Sequence, residues 1–343
     1  MAGSKRRVGA AVYIIIALAT LFVLVLCVCV GSVFIPISDA LRAIWEAVFG
    51  LAPTNELASS VIISVRLPRV LCVALSGAAL SLCGAAMQGL LRNPLADGST
   101  LGVSSGASLG AVLAIALGIQ IPGFAGGGTT LMAMLFAGVS LVIILSLAHK
   151  LDYSLSTNTI ILTGVIFSMF ASSLISLVIA FAGERVRTIT FWTMGSLANT
   201  NYVNVLTLLI AFIVCGGALL LSARELNAFS IGEDNARSVG VGVKRVRLVV
   251  LIAVSALIGV CVSIGGTIGF VGLVTPHMTR MLIGPNHKKL LPVSAFFGAV
   301  FLMLADLISR TLLRPIELPI GVITSFVGAI VFVFIFFKSR RAQ

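Results

Sequence analysis

Gly102-Val103-Ser104-Ser105-Gly106 satisfies the pattern G-x-S-x-G. In a hydrolase that turn lifts a nucleophilic serine from a strand-to-helix corner toward a histidine and an acid. Here the same glycines belong to a longer series, Gly102, Gly106 and Gly110, spaced every four residues in an apolar run with Ser104, Ser105 and Ser108 between them. Small residues at that interval let two membrane helices approach closely and let hydroxyls bond across the seam. The series therefore predicts helix packing, and no base for Ser104 is evident.

Other chemistry is excluded by spacing. A phosphate-binding loop needs G-x-x-x-x-G-K-[ST]; Gly240 and Gly242 precede Lys244, but Arg245 stands where a magnesium-binding hydroxyl belongs. The chain is thus not expected to hydrolyse ATP by that route. His149, His277 and His287 have no second histidine at ligand spacing, so no metal site is expected. The six cysteines (27, 29, 72, 83, 215 and 261) lie in apolar segments without a C-x-x-C pair and read as small hydrophobes. No cofactor is expected on this chain.

The elements that position these residues follow from composition. Of 343 residues, 59% are hydrophobic and 10% charged, against about 25% charged in soluble domains. Lipid must be the solvent for most of the surface. The apolar runs are continuous and lack the alternation of a membrane barrel, which predicts an all-α, multi-pass protein. Each span needs about 20 apolar residues. Runs at 8–31, 68–88, 98–118, 129–148, 158–182, 203–222, 247–265, 268–283, 291–309 and 318–337 give about ten spans in one transmembrane domain covering 1–343. The first follows Lys5-Arg6-Arg7 and is too long for a leader, so it reads as a retained span.

A short amphipathic helix over 37–50 lies between the first two spans. Ile37, Leu41, Ile44, Trp45, Val48 and Phe49 share one face, with Asp39, Arg42 and Glu46 opposite. The run 268–283 carries Pro276 behind Gly265, Gly266 and Gly269, which predicts a broken helix. Sixteen of the 23 basic residues fall in loops on the amino-terminal side of this topology and seven on the other. The excess marks the cytoplasm and places both termini there. The net charge of +12 is thus a matter of orientation rather than of nucleic-acid binding.

Two polar regions stand out. Residues 224–247 alternate apolar positions with charges and hold Gly232 and Gly240 as turn points, which suggests two short helices presented to a cytoplasmic partner. On the opposite side Arg66, Arg69 and Arg310 read either as anchors at the water boundary or as a basic surface for an acidic protein. Asp306 lies one turn before Arg310, so an internal pair competes for that arginine. An ion-gradient transporter would instead place ionisable groups near mid-membrane, and Asp306 is the nearest candidate.

With these residues in place the chain resembles the FecCD-type permease family of ABC importers for iron chelates, haem and vitamin B12. The matching stretches are RLPR at 66–69, GLLRNPLAD at 89–97, LGVSSG at 101–106, FWTMGSL at 191–197 and LNAFSIGEDNARSVG at 226–240. GFVGLVTPH at 269–277, LLP at 290–292, Ala305-Asp306 and ELPIGVIT at 317–324 follow in order. Asp97-Gly98-Ser99 replaces the family's usual Pro-Gly turn, and Gly328-Ala329-Ile330 lacks a common proline.

The resemblance implies the type II ABC importer architecture: ten helices per subunit, a second permease subunit (a copy or a relative), two cytoplasmic ATPase subunits that bind ATP and magnesium, and an extracytoplasmic binding protein at a bacterial cytoplasmic membrane. It implies that Leu226, Asn227, Ser230, Gly232, Glu233, Ala236, Arg237 and Gly240 belong to the segment seated in the ATPase. It implies docking of the binding protein on Arg66, Arg69 and Arg310. Asn93, Leu95, Thr157 and Asn158 correspond to a cytoplasmic gate. Transport of a ferric siderophore, haem or cobalamin is the expected function, with no covalent chemistry on this subunit.

Overall fold

The computed structural model describes residues 10–31, 35–122, 126–153 and 156–341. Lys5, Arg6 and Arg7, and the side chains of Lys338, Arg340 and Arg341, fall outside what is described. Helices occupy all ten apolar runs: α1 (Ala10–Cys29), the interfacial α2 (Ile37–Phe49), α3 (Glu56–Ser59) and α4 (Leu67–Leu90), α5 (Val103–Leu117), α6 (Gly127–Leu151), α7 (Thr157–Phe181), the short α8 (Val186–Thr193), α9 (Tyr202–Ala211) and α10 (Gly217–Leu221), α11 (Ala223–Phe229), α12 (Glu233–Ser238), α13 (Val243–Gly265), α14 (Val271–Ile283), α15 (His287–Thr311) and α16 (Ile320–Arg341). Single π-helical turns at 60–66 and 212–216 join α3 to α4 and α9 to α10.

Among the described residues, seven helical stretches are long and apolar enough to cross a membrane. The other two fully described runs are shorter: α5 has 15 residues and α14 has 13. At about 1.5 Å per residue neither reaches across a hydrocarbon core of about 30 Å.

Helix α4 is the hub, packed against α1, α9, α13, α14 and α15. Its seams are made of small residues. A Cβ on Gly77 would overlap the Gly298 carbonyl of α15, and one on Gly84 would overlap the Gly272 carbonyl of α14. Ser81 ties the same seams together, donating to the Ser294 carbonyl (2.6 Å) while accepting from the Thr275 hydroxyl (2.7 Å). Without a hydrophobic drive between helices in lipid, such close approach and cross-seam bonds supply the association.

The predicted break is present, but it lies ahead of Pro276. Gly266 (φ +67°) ends α13 and Phe270 (φ +67°) precedes α14. The polar groups of the irregular stretch are received by the segment after α8: Ser196 N–H donates to the Gly265 carbonyl (2.8 Å) and the Thr267 hydroxyl to the Thr193 carbonyl. Pro276 leaves the Gly272 carbonyl without its helical donor. Gln88 of α4 takes that place, its side-chain amide lying 3.4 Å from Gly272 O and 3.3 Å from Leu273 O.

The amphipathic helix is correct in extent, but one member of its polar face turns inward. Ile37, Leu41, Trp45, Val48 and Phe49 are exposed, whereas Ala40, Ala43 and Glu46 are buried. Glu46 accepts hydrogen bonds from the Thr54 amide (3.0 Å) and hydroxyl, closing the loop beyond Gly50.

Candidate functional site

The polar hairpin α11–α12 is braced from within. Leu226, Phe229 and Ala236 are fully buried. Asn227 bonds the start of α15 twice, its side-chain oxygen accepting the His287 amide (2.8 Å) and its amide nitrogen donating to Asn286 Oδ1 (3.0 Å). Below the hairpin, Arg247 in α13 is 1% exposed and pairs with Glu233 in the first turn of α12. Gly232 (φ +127°) and Gly240 (φ +86°) make the two reversals, conformations that a side chain would strain. Ser230 closes the end of α11 by donating to the Leu226 carbonyl (3.1 Å), and Arg237 stays at the surface, 3.9 Å from Asp234. What the hairpin presents outward mixes apolar and charged groups: Ile231 and Val239 are each 73% exposed, beside the exposed side chains of Asp234 and Arg237.

The opposite polar region is arranged the other way. Arg66, Arg69 and Arg310 are 5%, 7% and 3% exposed, so the expectation of open cations at the water boundary is corrected. Asp306 lies between two of them, 2.9 Å from an Arg69 terminal nitrogen and 3.2 Å from Arg310 Nε. Glu317, in the loop before α16, reaches Arg69 at 2.8 Å. Arg66 donates to the Cys29 (2.8 Å) and Val28 (3.2 Å) carbonyls, and Arg310 to that of Cys27 (2.5 Å). Together they satisfy the orphan carbonyls at the end of α1. Burial removes these cations from water, and carboxylates or carbonyls close at hand compensate for it. Glu317 was missed at the sequence level because its partner is 248 residues away.

The four residues expected at a cytoplasmic gate lie in pairs on two elements. Asn93 turns the loop after α4 by accepting the Leu95 amide (2.9 Å), leaving Leu95 51% exposed. Thr157 and Asn158 begin α7, whose start is held by Asp152 accepting the Ser156 amide (3.1 Å).

Gly106 and Gly110 lie against α6, where added Cβ atoms would overlap Ser140 and the Met132 carbonyl. Gly102 differs: it caps α5 with φ +79° and faces Gly164 of α7. Ser104, Ser105 and Ser108 line a cavity of about 330 Å³ together with Ser172, Thr193, Thr267 and the carboxylate of Asp97. Asp97 Oδ1 accepts the Gly98 amide (2.7 Å), so this acid serves the turn. Among the described residues no cluster of His, Cys, Asp or Glu could hold a metal ion.

Hydroxyls around a cavity between the helices and a braced hairpin at one end suit a conduit driven by another subunit. The FecCD transport family model matches residues 18–338. This chain belongs to the FecCD transport family. An ABC transporter permease of Bacillus subtilis, YvrB, is 45% identical over 91% of this chain and 89% of its own length. The iron(3+)-hydroxamate import permease FhuB of the same organism is 35% identical over 98% and 86%.

A solved inward-facing metal-chelate type ABC transporter superposes with a TM-score of 0.84 at 31% identity, covering 96% of this chain and 100% of that one. Relatives named for cobalamin, hemin and molybdate import, from Halobacterium salinarum, Yersinia pestis and Haemophilus influenzae, match as well. The chain is a polytopic permease of the ABC importer type and no enzyme; ATP hydrolysis resides in a separate subunit.

Proposed function

We propose that this chain is the transmembrane subunit of an importer that carries an iron chelate, a ferric siderophore first among haem and cobalamin, across a bacterial cytoplasmic membrane. A second permease subunit completes the pathway. An extracytoplasmic binding protein delivers the chelate, and two ATPase subunits, holding ATP and magnesium, seat the hairpin α11–α12. Both termini are cytoplasmic in this reading.

The observation that carries it is the hairpin itself. It offers exposed Ile231 and Val239 to a partner and is fixed to two helices by Arg247–Glu233 and Asn227–His287. Displacement of the hairpin must therefore move α13 and α15 together. Because α13 supplies Ile258 and Val262 to the hydroxyl-lined cavity, that motion reaches the pathway. The cavity offers weak, unspecific contacts, so selectivity belongs to the binding protein.

The names of the hydroxamate permease and the metal-chelate transporter support iron chelates as cargo. On the outer side, docking proceeds by exchange: a carboxylate of the binding protein replaces Glu317, the exposed member of the cluster, on Arg69.

Vesicles holding this chain with its ATPase, given a binding protein outside and ATP within, are expected to accumulate a radiolabelled ferric siderophore. Uptake driven by a proton or sodium gradient without ATP contradicts the mechanism. Uptake of molybdate with no uptake of any iron chelate contradicts the cargo.

A further inference from the structure

We propose that the lipid-facing groove between α6 and α13 holds one anionic phospholipid, its phosphate on the basic cluster at the hairpin end of the same two helices. The groove, of about 210 Å³, is walled by Met134, Gly138 and Leu141 from α6 and by Ile252, Ser255 and Ala256 from α13. It opens outward, for Met134, Gly138, Ile252 and Ala256 are all exposed.

At about 1.5 Å per residue, Leu141 stands roughly 14 Å from Lys150 along α6, and Ile252 roughly 12 Å from Lys244 along α13. The far walls, Met134 and Gly259, are about 24 and 22 Å from the same charges. One leaflet measures about 20–22 Å from its water surface to the midplane. The groove thus takes the deep half of an acyl chain whose headgroup lies at the cluster.

Charge complementarity selects the lipid. Lys244 lies over the ring of Tyr153 (4.9 Å), which in turn lies against His149 (4.4 Å), so the end of α6 and the first turn of α13 bring their charges together. Lys150, Lys244 and Arg245 are exposed, whereas Arg247 is buried with Glu233. Asp152, the acid nearest in sequence, accepts the Ser156 amide at the start of α7. Exposed Tyr153 sits where aromatic side chains mark the interface, and basic pockets between helices favour anionic headgroups.

Two variants separate tail from headgroup. Gly138 has nothing within 4 Å of an added Cβ, so the side chain of Gly138→Leu starts in open space and extends into the groove. Lys244→Ala with Arg245→Ala removes two charges from exposed positions.

The test is native mass spectrometry of the full-length chain, purified with its partner subunits and offered phosphatidylglycerol or phosphatidylcholine. The unmodified protein is expected to retain one phosphatidylglycerol in preference to phosphatidylcholine. The charge variant loses that preference by about tenfold or more, and Gly138→Leu retains neither lipid. Equal retention of the two lipids by the unmodified protein overturns the proposal. So does unchanged phosphatidylglycerol binding by Gly138→Leu, or cross-linking of the Gly138→Cys variant to another subunit, which would make the face a protein interface.

Discussion

The two polar ends of this permease use buried arginine in opposite ways. At the hairpin end, one buried cation, Arg247, braces a hairpin that offers Ile231 and Val239 outward among exposed charges. At the other end, three buried cations are held by Asp306, Glu317 and the last carbonyls of α1, and the structure turns them away from water. A partner can grip the hairpin end through Ile231 and Val239 while leaving the Arg247–Glu233 pair in place. In the proposed docking, a partner at the other end exchanges ions with Glu317. The first arrangement suits a subunit that stays and pushes; the second suits one that arrives and leaves.

The contrast is broken most severely at Asp306. Asp306→Ala leaves Arg69 and Arg310 with Glu317 as their remaining acid, and removal of one partner from a buried pair costs about 3–5 kcal/mol. The expected result is loss of folded protein from the membrane, read by detergent-solubilised size-exclusion profiles; a normal profile would show that the cluster is not structural.

Next in size is Ile231→Asp combined with Val239→Asp. Both positions are exposed, so folding should be untouched while co-purification of the ATPase falls at least about tenfold, since burying an unpaired carboxylate in an apolar contact costs more than 1.4 kcal/mol. Gln88→Leu is milder: it orphans the Gly272 carbonyl freed by Pro276, at about 1–3 kcal/mol. Its signature is faster hydrogen exchange in α14 with α15 unchanged.

The smallest effect concerns Glu46. Hydrogen bonds from the Thr54 hydroxyl, and then its amide, hold this carboxylate below its usual range. A depressed folded-state value means that the stabilisation is present above the unfolded pKa of about 4.3 and is lost as pH falls through the lower folded value. The protection of the loop 51–55 against hydrogen exchange, relative to the intrinsic rate at each pH, should therefore fall on acidification, and Thr54→Val should weaken that dependence.

The apolar runs made the helices legible, because lipid leaves long helices few alternatives. Glycine spacing announced the α5–α6 seam, and alternation with paired glycines announced the hairpin. What could not be read was which way long polar side chains turn. Arg69 meets Asp306 across 237 residues, and nothing local distinguishes that pairing from an open cation. Local charge pattern likewise placed Glu46 with Asp39 and Arg42, whereas Thr54, eight residues on, draws it inward. The glycines and the proline together announced a broken helix near α14 but not where it breaks: it lies at Gly266 to Phe270, while Gln88 meets the carbonyl that Pro276 leaves and α14 continues through the proline.

A photo-reactive cross-linker at Ile231 in the intact membrane tests the central claim most directly. The account predicts a covalent product with a nucleotide-hydrolysing subunit, formed at a yield that changes when ATP is supplied on the cytoplasmic side. Labelling of position 231 by an impermeant reagent from the cell exterior, or a product with lipid alone, would contradict it.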